Sequence, residues 1–154
     1  MIEVDERFEV DASPEAVWQV LSDPQEVVGC VPGAQLLAEH DDGTYDGSLT
    51  VKFGPLGVTF QAHVALELDD PAREGHLTAR GRDSQGGTRF RGMASFGVVP
   101  RPETPGSCVS IRGGVDLSGR LASMIEGGAT VVVRRMAAEF AERLAARCSS
   151  ATRP

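Results

Sequence analysis

The side chains best suited to acid–base chemistry inside a binding site are Asp83 and Tyr45. Both stand in stretches where apolar and polar residues alternate, and both fall in register with the apolar set. A carboxylate or phenol that faces an enclosed site could exchange a proton with a substrate. Asp83 is the better candidate for a polar group in a cavity, although it ends its stretch and a strand end usually reaches solvent. We predict no catalytic residue.

The histidines and cysteines offer no recognisable metal or nucleophile motif. His40 lies near a turn, His63 has the parity of an outward residue and His76 begins a strand, so we expect surface or structural roles and no metal site. Cys30 has no recognisable histidine partner, which favours a buried structural thiol over a nucleophile. Since no CxxC pair occurs, neither a disulfide framework nor a zinc site is indicated.

A period of two residues assigns most of the chain to strands. The first strand begins at Ile2 and stops at Asp11, and its alternation is broken only by Glu6. Further strands are predicted at about Ala34–Ala38, Thr44–Phe53, Gly57–Asp69, Glu74–Asp83, Thr88–Val98 and Ser107–Ser118. Turn residues separate them, so successive strands should pair antiparallel.

Two short helices and one long helix complete the predicted elements. Ser13 and Pro14 suit the N-cap and first position of a short helix, and Asp23-Pro24 begins a second. The three-then-four spacing of one helical face predicts a long helix over Arg120–Arg147. Its apolar face is formed by Leu121, Ile125, Gly128, Ala129, Val132, Met136, Phe140 and Leu144. Residues 1–147 are therefore predicted to form one domain, and residues 148–154 a flexible tail.

These elements predict an α+β fold. A curved seven-stranded antiparallel sheet would carry the two short helices and the long C-terminal helix on one face. Small residues interrupt the middle of the inward sets, at Gly47, Ala62, Ala79, Gly81, Gly92, Ala94 and Gly113. They favour a void between sheet and helix. The alternative is that they let the helix pack closely or mark bends in the sheet.

Apolar residues of the sheet centre and of the helix face would line such a void and form a ligand site. They are Phe60, Ala62, Val64, Ala79, Phe90, Ala94, Phe96, Ile125, Ala129, Val132 and Met136. Gly127 and Gly128 interrupt the helix, where each glycine costs about 1 kcal/mol relative to alanine. We interpret the pair either as a cavity mouth or as a point where a strand or loop approaches closely.

Four outward arginines form the least expected feature. If the turn after Asp83 is tight, Arg80 and Arg82 lie opposite Arg91 and Arg89, and like charges in that position are unfavourable. One interpretation is that Glu67 and Asp116 neutralise them. The other is a docking patch for an acidic partner protein or anionic lipid headgroups.

The overall charge limits the partners. A net charge of −7 argues against nucleic acid, which requires clustered positive charge. No apolar run approaches the ~18 residues of a membrane span, and the acidic N-terminus does not resemble a signal peptide. A cytoplasmic location is therefore expected.

Several motifs resemble those of CoxG, an accessory subunit of carbon monoxide dehydrogenase. They are Ala12-Ser13-Pro14-Glu15-Ala16-Val17-Trp18, Leu21-Ser22-Asp23-Pro24, Cys30-Val31-Pro32-Gly33-Ala34, Gly54-Pro55 and Leu117-Ser118-Gly119-Arg120-Leu121-Ala122. The resemblance extends from the first strand to the last helix. It implies the helix-grip fold of START lipid-transfer domains and polyketide cyclases, in which a long C-terminal helix closes an apolar cavity over a curved sheet.

The resemblance also implies a function. CoxG proteins are accessory factors that recruit the molybdenum-containing carbon monoxide dehydrogenase to the membrane and bind a hydrophobic ligand such as a quinone; no cofactor is implied. Many relatives carry a membrane-anchoring tail, whereas this chain ends at Pro154, so only peripheral membrane contact is expected. A polyketide cyclase or dehydratase-like enzyme is the alternative, and an assembly protein with a filled core is a third.

Overall fold

A computed structural model describes the backbone of residues 1–152 and the side chains of residues 1–149. The strands are β1 (Ile2–Val10), β2 (Ala34–Glu39), β3 (Thr44–Phe53), β4 (Leu56–Asp69), β5 (Glu74–Asp83), β6 (Thr88–Pro100) and β7 (Ser107–Gly119). The helices are α1 (Pro14–Leu21), α2 (Pro24–Val28) and α3 (Ala122–Thr152). The predicted order of elements is confirmed.

The seven strands form one antiparallel sheet in the order β1-β7-β6-β5-β4-β3-β2. Strands β2 to β7 follow one another as a meander, and the last of them, β7, also pairs with β1. The sheet carries α3 on its inner face, as the sequence predicts for an α+β fold of this kind.

Local residues explain how the first helices begin. The Ser13 hydroxyl accepts a hydrogen bond from the Ala16 amide at 3.2 Å, and the Asp23 carboxylate accepts one from the Gln25 amide at 3.0 Å. Each cap precedes a proline at the start of the helix. The loop after α2 requires a glycine, because Gly33 has a φ of 81° and a Cβ there would lie 2.2 Å from the Thr50 carbonyl oxygen.

The last helix ends later than predicted. It continues to Thr152, and Cys148, which was assigned to the tail, is fully buried within it. An ion pair of 2.6 Å between Arg147 and Glu26 of α2 joins this end of α3 to the rest of the domain. Residues 153 and 154 of the predicted tail lie outside the described residues.

Two separate hydrophobic clusters join α3 to the sheet. The larger, here called the main core, contains Val10, Val17, Trp18, Val20, Leu21, Cys30, Val98, Val109, Leu144 and Cys148. The smaller, called the minor core, contains Val58, Phe60 and Ile125, with Ile2, Phe53, Phe90, Leu117 and Leu121 packed around them. The α3 backbone runs close to β1, β3 and β7, but approaches β4, β5 and β6 at most at isolated points. The helix is thus supported at its two ends and along two sides.

Candidate functional site

The middle of the inner sheet face lies between the two cores and is less tightly covered than either. Ala62, Val64, Ala79 and Ala94 face inward there and are half-buried, and Met136 on α3 is half-buried as well. These five residues belong to the predicted ligand site. Because the α3 backbone stays away from β4, β5 and β6, side chains alone must fill this region, and those of the sheet are short.

The other predicted site residues lie at the edges of this region. Phe60, Phe90 and Ile125 belong to the minor core, where the two phenyl rings meet edge to face with centroids 5.6 Å apart. Phe96 packs at the main core, with its ring centroid 6.1 Å from that of Trp18. Ala129 and Val132 are buried on α3. The predicted set therefore combines an open middle with two packed ends.

The glycine pair of α3 is not explained by close packing. The helix runs unbroken through Gly127 and Gly128. A Cβ on Gly127 would meet nothing within 4 Å, and one on Gly128 would lie 3.8 Å from Phe53, an ordinary contact. No close approach of a strand or loop in the described part of the chain therefore requires these glycines.

The two polar residues singled out for acid–base chemistry do not form a cluster. Asp83 is buried, in agreement with its inward parity, and its carboxylate accepts a hydrogen bond from the Gly87 amide at 2.8 Å and so holds the turn before β6. Asp83 lies opposite Phe60 and Tyr45 opposite Val64, four residues further along β4. At about 3.3 Å per residue, some 13 Å separate them along the sheet.

Glu6 is an inward-facing glutamate of β1 that the sequence pattern did not single out as a site residue. It breaks the apolar series of β1, lies opposite Ile111 and is half-buried. The side chain of Glu6 forms no hydrogen bond or ion pair with another residue whose side chain is described. The signal in the sequence was this break itself, since an acidic residue at an inward position of a strand is unfavourable unless something binds it.

Cys30 is a structural thiol, as predicted. It is fully buried in the main core, and its Sγ lies 3.7 Å from the Glu26 carbonyl oxygen. Burial raises the pKa of Cys30 and also that of Cys148. A raised pKa lowers the fraction of reactive thiolate, so neither residue is activated as a nucleophile.

Two of the histidines are closer together than their sequence positions indicate. His40 Nε2 and His63 Nδ1 each lie 2.9 Å from an oxygen of Asp46, and the two rings are 5.9 Å apart. These three residues could supply two imidazoles and a carboxylate to a metal ion. Arg80 lies opposite His63 in the sheet, and its positive charge would repel a metal ion bound at this site. His76 is separate and contacts the Ser95 hydroxyl at 2.7 Å.

The same cluster changes the properties of Asp46. Hydrogen bonds from His63 and then His40 lower the pKa of its carboxyl group. All three residues lie on the outer part of the sheet, which fits the predicted surface role. The β3–β4 register, which places Asp46 opposite His63, was the signal that could have revealed the pairing.

No helix in the described part of the chain is long and apolar enough to cross a membrane.

The long helix gripped by an antiparallel sheet defines a helix-grip domain, and solved structures share it. A conserved protein from Geobacillus kaustophilus has a TM-score of 0.82 at 15% identity, with 97% of this chain and 96% of that chain covered. For TTHA0849 from Thermus thermophilus the TM-score is 0.73 at 15% identity, covering 98% and 99%. For the Zhui aromatase/cyclase from a Streptomyces species it is 0.65 at 15% identity, covering 98% and 95%.

Residues 7–149 match the family model of CoxG, a subunit of carbon monoxide dehydrogenase, and the chain therefore belongs to that family. The expected family is confirmed. No curated protein matches the chain in sequence. The identities to the solved structures are low, so those likenesses concern the fold alone.

Proposed function

We propose that this protein is a non-catalytic accessory protein of the CoxG type that binds a hydrophobic small molecule between the sheet and α3. The ligand class is quinone-like or lipidic. One observation carries the proposal: the half-buried, small apolar side chains in the middle of the inner face, between two separate cores.

The chemistry of this region suits a ligand held by shape and apolar burial. Ala62, Val64, Ala79 and Ala94 offer no hydrogen-bonding side chain, so affinity would come from about 25 cal/mol per Å² of apolar area removed from water. Ligand sites are commonly apolar with a few placed polar groups. Glu6 is one polar group on this face, and a quinone or lipid with a hydroxyl or carbonyl group could contact it directly or through water.

A catalytic role for the site has less support. Asp83 is bound by a backbone amide and Tyr45 lies about 13 Å away along the sheet. A cyclase-like enzyme would require its acid and base to converge on one substrate. Glu6 alone could protonate or deprotonate a ligand, so an enzyme of the polyketide cyclase or dehydratase type stays the second candidate.

The partner follows from the family name. A CoxG protein is expected to act with a carbon monoxide dehydrogenase or a related molybdenum hydroxylase, and this chain is proposed to do the same. Peripheral contact at the cytoplasmic face of the membrane would let it exchange a hydrophobic ligand there.

Replacing one alanine on each face of the sheet by phenylalanine tests the ligand site. Ala79→Phe fills the middle of the inner face on β5, and Ala65→Phe adds the same ring to the outer face of β4. Binding of a decyl-substituted benzoquinone can be followed by quenching of the single tryptophan, Trp18, and by native mass spectrometry. We expect Ala79→Phe to weaken binding at least about tenfold, and Ala65→Phe less than about twofold.

Thermal unfolding of the same variants separates the proposal from a filled core. Adding a ring to a filled core typically costs about 1–3 kcal/mol. A void would accept the Ala79→Phe ring with little loss of stability. Strong destabilisation by Ala79→Phe, or equal quinone affinity in both variants, would contradict the proposed site.

A further inference from the structure

The outer face of β5 and β6 concentrates positive charge on an acidic protein. The register pairs Arg80 with Arg91 and Arg82 with Arg89, which confirms the predicted arrangement. All four side chains are exposed. Like charges directly opposite each other destabilise a sheet, so this arrangement lowers the stability unless a counter-charge binds the arginines.

Within the part of the chain whose side chains are described, none of the four arginines has a carboxylate within 4.0 Å. Asp116 lies opposite Arg91 but forms no ion pair with it. The predicted role of Glu67 as a counter-charge is wrong, because Glu67 lies opposite His76, four residues along β4 from the partner of Arg80. The four arginines therefore lack a directly paired carboxylate among the described side chains.

The four arginines line an open groove of about 1000 Å³. Gln61 and Ser118 also line it and add an amide and a hydroxyl group. This volume is at the upper end of that of small-molecule sites, which are concave with a few converging polar groups. These polar side chains lie on the opposite face of the sheet from the proposed hydrophobic site.

We propose that this groove binds a small molecule carrying phosphate. The planar guanidinium group matches the oxygens of phosphate with two parallel hydrogen bonds. Four arginines and two aspartates, Asp46 and Asp116, line the groove and leave it a net charge of +2. Because a phosphate monoester carries about −1.5 to −2 at pH 7, a phosphorylated small molecule balances this charge.

The overall charge of the protein favours a small anion over a large one. A net charge of −7 repels an extended acidic surface, whether a membrane or a protein. A small ligand within the groove interacts mainly with charges inside one Debye length, about 8 Å at physiological ionic strength. Local attraction by the arginines then exceeds the repulsion by distant carboxylates.

Isothermal titration with inorganic pyrophosphate at low salt tests the proposal, because this anion presents phosphate oxygens at both of its ends. Arg82→Ser/Arg89→Ser removes one cross-strand pair from the groove. The control Arg7→Ser/Arg112→Ser removes two outer-face arginines of β1 and β7 that do not line the groove and changes the net charge equally. We expect saturable binding that falls at least about tenfold in the first variant and less than about twofold in the control.

Two further measurements distinguish paired hydrogen bonds to phosphate from attraction by charge alone and from membrane binding. Arg82→Lys/Arg89→Lys keeps the charge but loses the paired hydrogen bonds, so its affinity should lie between those of wild type and the serine variant. Vesicles of phosphatidylglycerol in phosphatidylcholine report membrane binding. Absence of saturable pyrophosphate binding, equal loss in both serine variants, or binding to vesicles alone would overturn the proposal.

Discussion

The inner and outer faces of the sheet are formed by the same strands but carry side chains of different chemistry. Along β5, Ala79 points inward to a half-buried region that the α3 backbone does not closely cover, whereas Arg80 points outward to a groove lined by four arginines and two aspartates. Side chains alternate along a strand, so one run of sequence can meet both requirements. The two proposed ligands differ accordingly: an apolar molecule matches the inner face, and a phosphate-bearing one matches the outer face.

Truncation of a core residue should have the largest effect on stability. Leu144 is fully buried in the main core, whereas Met93 on the outer face is 65% exposed. Leu144→Ala is expected to destabilise the protein by about 2–5 kcal/mol, because it removes apolar contacts and leaves a cavity. Met93→Ala should change the stability by less than about 0.5 kcal/mol. Urea unfolding followed by Trp18 fluorescence measures both, and equal losses would remove the distinction between the faces.

Two of the three glutamates of β1 allow a sharper comparison. Glu6 faces inward and is half-buried, whereas Glu3 faces outward and is exposed. We expect Glu6→Leu to stabilise the protein by about 1 kcal/mol, because a carboxylate without a partner is removed from a partly apolar region. Glu3→Leu should have almost no effect. A loss of stability in Glu6→Leu would indicate that Glu6 has a stabilising contact, and the same unfolding experiment would detect it.

Substitutions of the glycine pair of α3 test whether a ligand enters the inner region from solvent at that point. Gly127→Ala and Gly128→Ala should each stabilise the protein by about 0.5–1 kcal/mol, because alanine is the better helix former and its Cβ has room. If the pair forms the cavity mouth, stopped-flow quenching by the benzoquinone should show slower association. An unchanged association rate would remove the mouth from the proposed site.

The smallest expected effect concerns the outer cluster at Asp46. Hydrogen bonds from His63 and His40 lower its pKa in the folded protein below that of a free aspartate, about 3.9. The contacts therefore stabilise the fold above about pH 4, and this stabilisation is lost as the pH falls through the lowered pKa. Chemical denaturation at pH 5 and pH 3 should show a loss in wild type that is smaller in Asp46→Asn. Equal losses would exclude a role for the cluster in acid stability.

The sequence predicted the elements well because their signals are local. Alternation along β3 to β7, the caps Ser13 and Asp23, and the turn residues act within a few positions of the chain. The Arg80–Arg91 pair was also predictable, since a tight turn determines the register of a hairpin. The glycine of the family motif at Pro32-Gly33 has a local cause in its positive φ and a distant one in β3, where a Cβ on Gly33 would meet the Thr50 carbonyl oxygen.

The tertiary structure alone decided the features that depend on distant contacts. Asp46 contacts both histidines because β2, β3 and β4 lie side by side, and the register of β4 with β5 places Glu67 away from the arginines. Cys148 is buried because α3 continues across the main core rather than ending as a tail. How closely the region between the two cores is covered likewise depends on where α3 lies. Sequence periodicity specifies which face a residue takes, whereas the distance to the opposing element depends on packing of the whole domain.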